Sequence, residues 1–239
     1  MSDSEQGQGQ ATPVVPAATP PAAKPPPSRT RRLWLWARPI VFTLVALAAF
    51  RTTVADWHDV PTGSMEPSIE PGDRIVVNNL AYQLQAPFLG WHLVEWSDPQ
   101  RGDVVVCYSP ANGQRLVKRV IGVPGDTVEM RRNVLLINGR AANYHWDNLL
   151  SGTESLPAGK PHPVQLIPAM PSRRSFEPLT VPAGEFFVMG DNRDNSLDSR
   201  YFGFVDRGQI VGRAIGIAFS LDPDHHRTPR WDRTLRGLP

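Results

Sequence analysis

The apolar positions of the chain fall into two regimes. Over residues 33–50 the sequence LWLWARPIVFTLVALAAF is apolar almost without a break, with Arg38 as its single charge. A bilayer-crossing helix needs ~20 mainly apolar residues. The stretch from about 36 to 54 reaches that length if Arg51 snorkels to the far interface. After residue 60 the apolar runs are short and punctuated by Gly and Pro. They are RIVVNNLAY from Arg74, DVVVCYS from Asp103, RLVKRVIGV from Arg115, TVEMRRNVLLING from Thr127, GEFFVMG from Gly184 and QIVGRAIGIAF from Gln209. Their length and their richness in Val, Ile and Phe predict strands. Arg131, Arg132 and Asn133 interrupt the apolar pattern between Met130 and Val134 and predict a hairpin. No stretch after residue 60 keeps a helical period over twelve residues. The pattern therefore predicts a mainly β, antiparallel domain over 56–239, preceded by one transmembrane helix over 33–55. From Tyr144 to about Pro178 the residues Pro, Ser, His and Arg are scattered, and only 164–167 looks strand-like. The segment 140–180 reads as a small inserted cap.

Composition and charge refine this picture. Residues 1–30 hold seven prolines and no apolar period. Such a segment cannot bury enough surface to offset its ordering entropy, so 1–32 reads as a disordered, Pro-rich tail. The apolar stretch behind it admits three readings: an uncleaved anchor, a cleaved secretory signal, or a core helix. The long tail ahead of it disfavours an ordinary signal and favours the anchor. Trp34, Trp36 and Trp57 fall where interfacial aromatics sit, and Arg29, Arg31 and Arg32 precede the span. That asymmetry predicts a cytoplasmic amino end and an extracytoplasmic body. Net charge is only +2 and basic and aromatic residues do not interleave, which excludes a nucleic-acid partner. Cys107 stands alone, so no intrachain disulfide forms, and in VVVCY it reads as a small buried hydrophobe.

The segment DVPTGSMEPSIEPGD, from Asp59, sets Ser64 after a bend made by Pro61 and Gly63. A serine hydroxyl attacks a carbonyl only with a base in reach. The alternative is that Ser and Thr simply occupy a turn. Two bases are available. His58 lies six residues upstream between Asp56 and Asp59, which makes a Ser-His-Asp triad conceivable. Lys118 is one of only three lysines among 25 basic residues. Arginine never becomes a free base in a protein, whereas burial lowers a lysine pKa. In a strand Lys118 shares a face with Leu116 and Val120. If that face is the core, the amine is desolvated; if it is an edge, Lys118 faces solvent. Both readings stand on the residues alone. The histidines show no H-E-x-x-H spacing, and NRDNSLD misses the EF-hand register, so neither a metal nor a cofactor is expected. The loop GDNRDNSLDSRYFG over 190–203 is polar in nine of the eleven residues 191–201 and ends in aromatics. That texture suits a network that holds something in place.

Taken together the motifs resemble the bacterial type I signal peptidases, membrane-bound serine endopeptidases with a Ser-Lys dyad. The resemblance lies in PTGSMEPSI (61–69), GDRIVVNNLAY (72–82), RGDVVVCYS with RLVKRVIGVPGDTVE (101–129), GDNRDNSLDSRYFGFV (190–205) and the anchor. It implies Ser64 as nucleophile and Lys118 as general base. It implies Thr62 and the Ser64 amide as the oxyanion hole, Ser196 as a hydrogen-bond partner of the lysine amine, and Asp198 with Arg200 as a supporting ion pair. Val60, Pro61, Met65, Ile69, Leu116 and Val117 would line shallow substrate pockets. Asn79 stands where the family often has lysine. The implied substrates are secretory precursors cleaved after small-x-small at the outer face of a bacterial cytoplasmic membrane, with lipid as a second partner. APFLGWHLVEW, from Ala86, is the candidate lipid contact. Two alternatives stay open: a relative dedicated to one pilin or conjugation-type precursor, and an inactive membrane-tethered binding module.

Overall fold

A computed structural model of the chain describes residues 29–85 and 92–239. The expectations for the tail over 1–28 and for lipid contact by 86–91 lie outside the described residues. Helix α1 (Arg29–Val54) covers the apolar stretch and begins within the arginine cluster. Among the described residues no helix is long and apolar enough to cross a membrane.

The rest is mainly β, as the apolar pattern predicts, with one short α-helix, α2 (Ser199–Phe202), among the described residues. In chain order the strands are β1 (Ala55–Asp59), β2 (Asp73–Asn78), β3 (Gln83–Gln85), β4 (His92–Glu95), β5 (Val104–Tyr108), β6 (Arg115–Gly122), β7 (Thr127–Arg131), β8 (Val134–Ile137), β9 (Arg140–Ala141), β10 (Asn143–Trp146), β11 (Ser151–Ser155), β12 (Pro161–Gln165), β13 (Phe176–Thr180), β14 (Glu185–Met189), β15 (Val205–Asp206) and β16 (Ile210–Asp222). Among the described residues the main sheet runs β1-β2-β16-β5-β6-β14-β15, and its pairings are antiparallel. A second sheet runs β13-β7-β8-β9 and a third β10-β11-β12.

Strand β5 shows why these runs are so apolar. Val104 and Val106 enter one core cluster, with Val60, Met65, Ile69, Ile75, Val77, Ala214 and Ile217. Val105 and Cys107 enter another, with Val120, Phe186, Val188 and Ile210. A strand buried on both faces needs a continuous apolar run. Cys107 is fully buried, and burial pushes its thiol up to about 12. The expected hairpin is present: Arg131 faces Val134, and Arg132 and Asn133 take φ of 48° and 66°. Two left-handed residues form the tight turn that matches strand twist.

The segment 140–180 is more ordered than expected. Only 164–167 looked strand-like, yet β10, β11 and β12 form a three-stranded sheet there. Its β12 carries Pro161 and Pro163, and it is an edge strand, where a missing N–H is tolerated.

Candidate active site

Thr62 is extended (φ −125°, ψ 148°) and leads into a single 3₁₀ turn, Gly63–Met65. Glu66 N donates to Gly63 O at 3.2 Å and Ile69 N to Met65 O at 2.9 Å. Met65 and Ile69, at 1% and 0% exposure, pin the turn to the core beneath it. Ser64, between the bend and that anchor, stays half-buried at the surface.

Lys118 reaches the turn from β6. Only 2% of it is exposed. Its Nζ lies 2.7 Å from Ser64 Oγ and donates to Val117 O at 3.0 Å. Lys118 pairs with Val105 across the sheet, on the face of Leu116 and Val120. The core-facing reading of the sequence is therefore the one the fold adopts. Burial lowers the amine below the usual lysine range; Asp198, Cys107 and Asp191 oppose this and Arg200 adds to it. His58, the rival base, lies elsewhere: its Nδ1 is 3.0 Å from a guanidinium nitrogen of Arg115. Burial and that guanidinium hold its imidazole below the ordinary range, against Asp56 and Asp59.

The polar loop is a packed frame. Asp198 and Arg200 pair in a bidentate contact of 2.8 and 2.9 Å, with both side chains fully buried. Asp198 also accepts from Gly190 N, and Arg200 donates to Arg193 O at 2.5 Å. Ser196 departs from expectation. Its Oγ has no hydrogen-bond partner among the described residues, and Lys118 takes Val117 O as its second partner. Ser196 instead packs on Gly190: a Cβ at 190 would meet Ser64 O at 2.3 Å and Ser196 Oγ at 2.4 Å.

Four residues escaped the sequence reading. Gly190 lets the loop approach the back of Ser64. Asn192 clamps the turn: its N donates to Ser64 O and its Nδ2 to Gly63 O, both at 3.1 Å, and Nδ2 reaches Glu66 as well. Arg119 forms a buried pair with Asp191, through Nε to Oδ1 at 2.9 Å and Nη2 to Oδ2 at 2.7 Å. Burial pushes the Asp191 carboxyl up, and Arg119 more than reverses this, leaving it below its usual range. Gly190, Asn192 and Asp191 lie inside the polar loop, but only the fold shows which of its groups face Ser64.

The substrate-pocket residues divide. Val60, Met65 and Ile69 are core, at 4%, 1% and 0% exposure. They lie beneath the surface of the site rather than on it. Pro61 is exposed, and Leu116 and Val117 are half-buried. Leu116 and Val117 lie on an edge of β6 that is unpaired among the described residues. Strand β1 ends the sheet order, and β14 pairs only with 119–122 of β6, so 115–118 has one edge without a strand partner among the described residues. The His58–Arg115 contact spans from β1 to this free edge.

The site so built is a half-buried serine hydroxyl against a buried amine of lowered pKa, on an antiparallel β scaffold. The comparisons give the family. The model of the family "Signal peptidase, peptidase S26" matches residues 33–219, and the chain belongs to that family. It is 36% identical over 219 residues to signal peptidase I of Pseudomonas aeruginosa, covering 82% of this chain and 75% of that protein. It is 31% identical over 222 residues to signal peptidase I of Leptolyngbya laminosa, covering 90% of each. A crystal structure of a signal peptidase I from Enterococcus faecalis V583 matches with a TM-score of 0.33 and 37% identity, over 49% of this chain and 97% of that one.

Proposed function

We propose that this protein is a bacterial signal peptidase that removes signal peptides from secretory precursors, with Ser64 as nucleophile and Lys118 as general base. The observation that carries this is the 2.7 Å contact between Ser64 Oγ and an amine that is 2% exposed. The precursor enters extended and adds a strand to the free edge of β6, with β1 on its other side. Pro61, Leu116 and Val117 present the wall, and the packed layer of Val60, Met65 and Ile69 beneath keeps it shallow. Only a small side chain fits such a floor, which is the basis of a small-x-small preference.

Neutral Lys118 takes the Ser64 proton as Oγ attacks the scissile carbonyl carbon. The oxyanion is held by the Ser64 N–H and the Thr62 hydroxyl, which makes no capping bond to the turn. Losing one such donor typically costs ~10²–10³ in rate. Lys118 then gives its proton to the leaving amine, and the carbon–nitrogen bond breaks. The acyl-ester is attacked by water, whose proton Lys118 accepts and passes to Ser64 Oγ as the carbon–oxygen bond breaks; the signal peptide leaves as an acid that ionises in solvent. No step needs a metal or a cofactor.

The body works at the outer face of the cytoplasmic membrane, held by a single-pass anchor over 33–55 with the tail inside. Trp34, Ile40, Phe42 and Leu44 of α1 are each more than half exposed, as lipid contact requires. Val94 and Trp96 are likewise exposed, at 56% and 53%, and extend the lipid-facing surface of the body.

The test is cleavage of a model precursor. Ser64→Ala and Lys118→Ala should each abolish it while leaving the thermal transition in place. In the wild type the acidic limb of kcat/KM should fall well below the ~10.4 of ordinary lysine, because the base works only above its lowered pKa. Activity surviving both substitutions would sink the assignment.

A further inference from the structure

The cap over 140–180 lends the active loop a buried counter-ion. Glu154 of β11 and Arg193 of the loop have side chains 0% and 1% exposed. Arg193 grips both carboxylate oxygens, with Nη1 2.9 Å from Oε1 and Nη2 against Oε2. The Tyr144 hydroxyl donates to Oε1, and His162 Nε2 lies 3.1 Å from Oε2. Among the described residues Glu154 is the carboxylate that pairs with Arg193.

Arg193 in turn holds the loop in shape. Its Nε donates to Gly190 O at 3.2 Å, and its carbonyl accepts from Arg200. The cap meets the same loop through the backbone: Gln165 N donates to Asp191 O and Arg193 N to Gln165 O, both at 2.9 Å. The two residues so framed, Gly190 and Asn192, are those that touch the back of the Ser64 turn. A buried guanidinium without its carboxylate is strongly destabilised. The loop can therefore keep this shape only while the cap supplies its charge.

We propose that Glu154 is a positioning residue for catalysis: through Arg193 it fixes the 190–200 loop on which the Ser64 turn rests. This rests on the serine–lysine reading above. It gives the cap a role in the chemistry that none of the family motifs in the sequence indicates. Glu154 bonds Tyr144, Arg193 and His162 and touches neither the free edge of β6 nor Lys118, so its loss acts on the chemical step and not on binding. A slackened loop also admits water to the amine, and relief of its burial raises the Lys118 pKa.

The test compares full-length variants on a peptide precursor. Glu154→Gln should lower kcat at least tenfold, change KM less than twofold, and move the acidic limb of kcat/KM up by half a pH unit or more. Val164→Ala, a cavity in the same sheet, controls for simple loosening; it should lower Tm and leave the limb in place. If Glu154→Gln does not fold, Glu154→Met with Arg193→Met replaces the pair by apolar side chains. Its Tm should recover while kcat stays low, because Gly190 O has lost its donor. A wild-type kcat and limb in Glu154→Gln, an equal limb shift in Val164→Ala, or a wild-type kcat in the double variant would each overturn the proposal. Activity in Ser64→Ala or Lys118→Ala would instead overturn the dyad on which it rests.

Discussion

Lys118 and Arg119 are adjacent buried basic residues, at 2% and 1% exposure, and chemistry separates them. Arg119 is neutralised by Asp191 and donates besides to Gly102 O at 2.8 Å. Lys118 has no carboxylate within ion-pair distance among the described residues; its close partners are a hydroxyl and a carbonyl. An unpaired buried ammonium costs stability, and that cost can be read from pH. The folded pKa of Lys118 lies below its unfolded value of ~10.4. Between the two values the unfolded chain binds one more proton, so stability rises with pH across that window. Below it the amine is charged in both states and the full cost applies. Lys118→Met, close in volume and uncharged, is therefore expected to melt above the wild type at neutral pH. The gap should narrow as pH approaches ~10.4, and cleavage should be lost throughout. A variant that melts below the wild type at neutral pH would show the amine to be well solvated or paired. The contact between Ser64 and Lys118 was not legible in the residues alone, where a core-facing and a solvent-facing Lys118 stood equally; the motifs that resemble the family singled out the pair. Ser196 was misplaced because a hydrogen-bond partner is a matter of ångströms, and no spacing along the chain encodes it.

Whole elements were legible to the degree that their stabilisation is local. The β7–β8 hairpin is announced by polar residues between two apolar runs, and its register follows from two left-handed residues. Arg132 holds φ of 48° there, which costs an L-residue with a Cβ roughly 1–2 kcal/mol. Arg132→Gly removes that strain and adds unfolded-chain entropy worth about half of it. The expected outcome is a gain of about 0.5–1 kcal/mol in the denaturant midpoint analysis with cleavage unchanged. A loss would show that the Arg132 side chain contributes more than its backbone costs. The cap sheet was not legible for the opposite reason. Pro161 and Pro163 of β12 read as breakers, yet both sit on a strand whose outer side meets the active loop at Gln165 and Asn192 instead of another strand. Strand β11 is marked by a buried Glu154 rather than an apolar alternation. Its partner Arg193 is 39 residues away, so nothing nearby in sequence explains its burial.

At the scale of the whole molecule, the chemistry matters only if body and substrate meet on one side of a membrane. A precursor's signal ends at the outer face, so the body must lie there, and a tether on that face raises the encounter frequency. On the proposed topology the side is set by charge. Arg29, Arg31 and Arg32 precede the apolar stretch and Arg51 alone follows closely, so the proposed topology keeps the richer basic flank inside. The body carries no such instruction, since long domains translocate largely regardless of their charge. Reversing only the leading flank, with Arg29→Glu, Arg31→Glu and Arg32→Glu in the full chain, leaves every residue of the serine–lysine site untouched. The purified, detergent-solubilised variant should cleave a peptide precursor at the wild-type rate. In bacterial spheroplasts, external protease should degrade the body of the wild type and spare much of it in the variant. Protection of the wild-type body would place the site on the wrong side of the bilayer. Equal degradation of both would show that the basic flank does not set the topology, and some other segment of the chain would then have to.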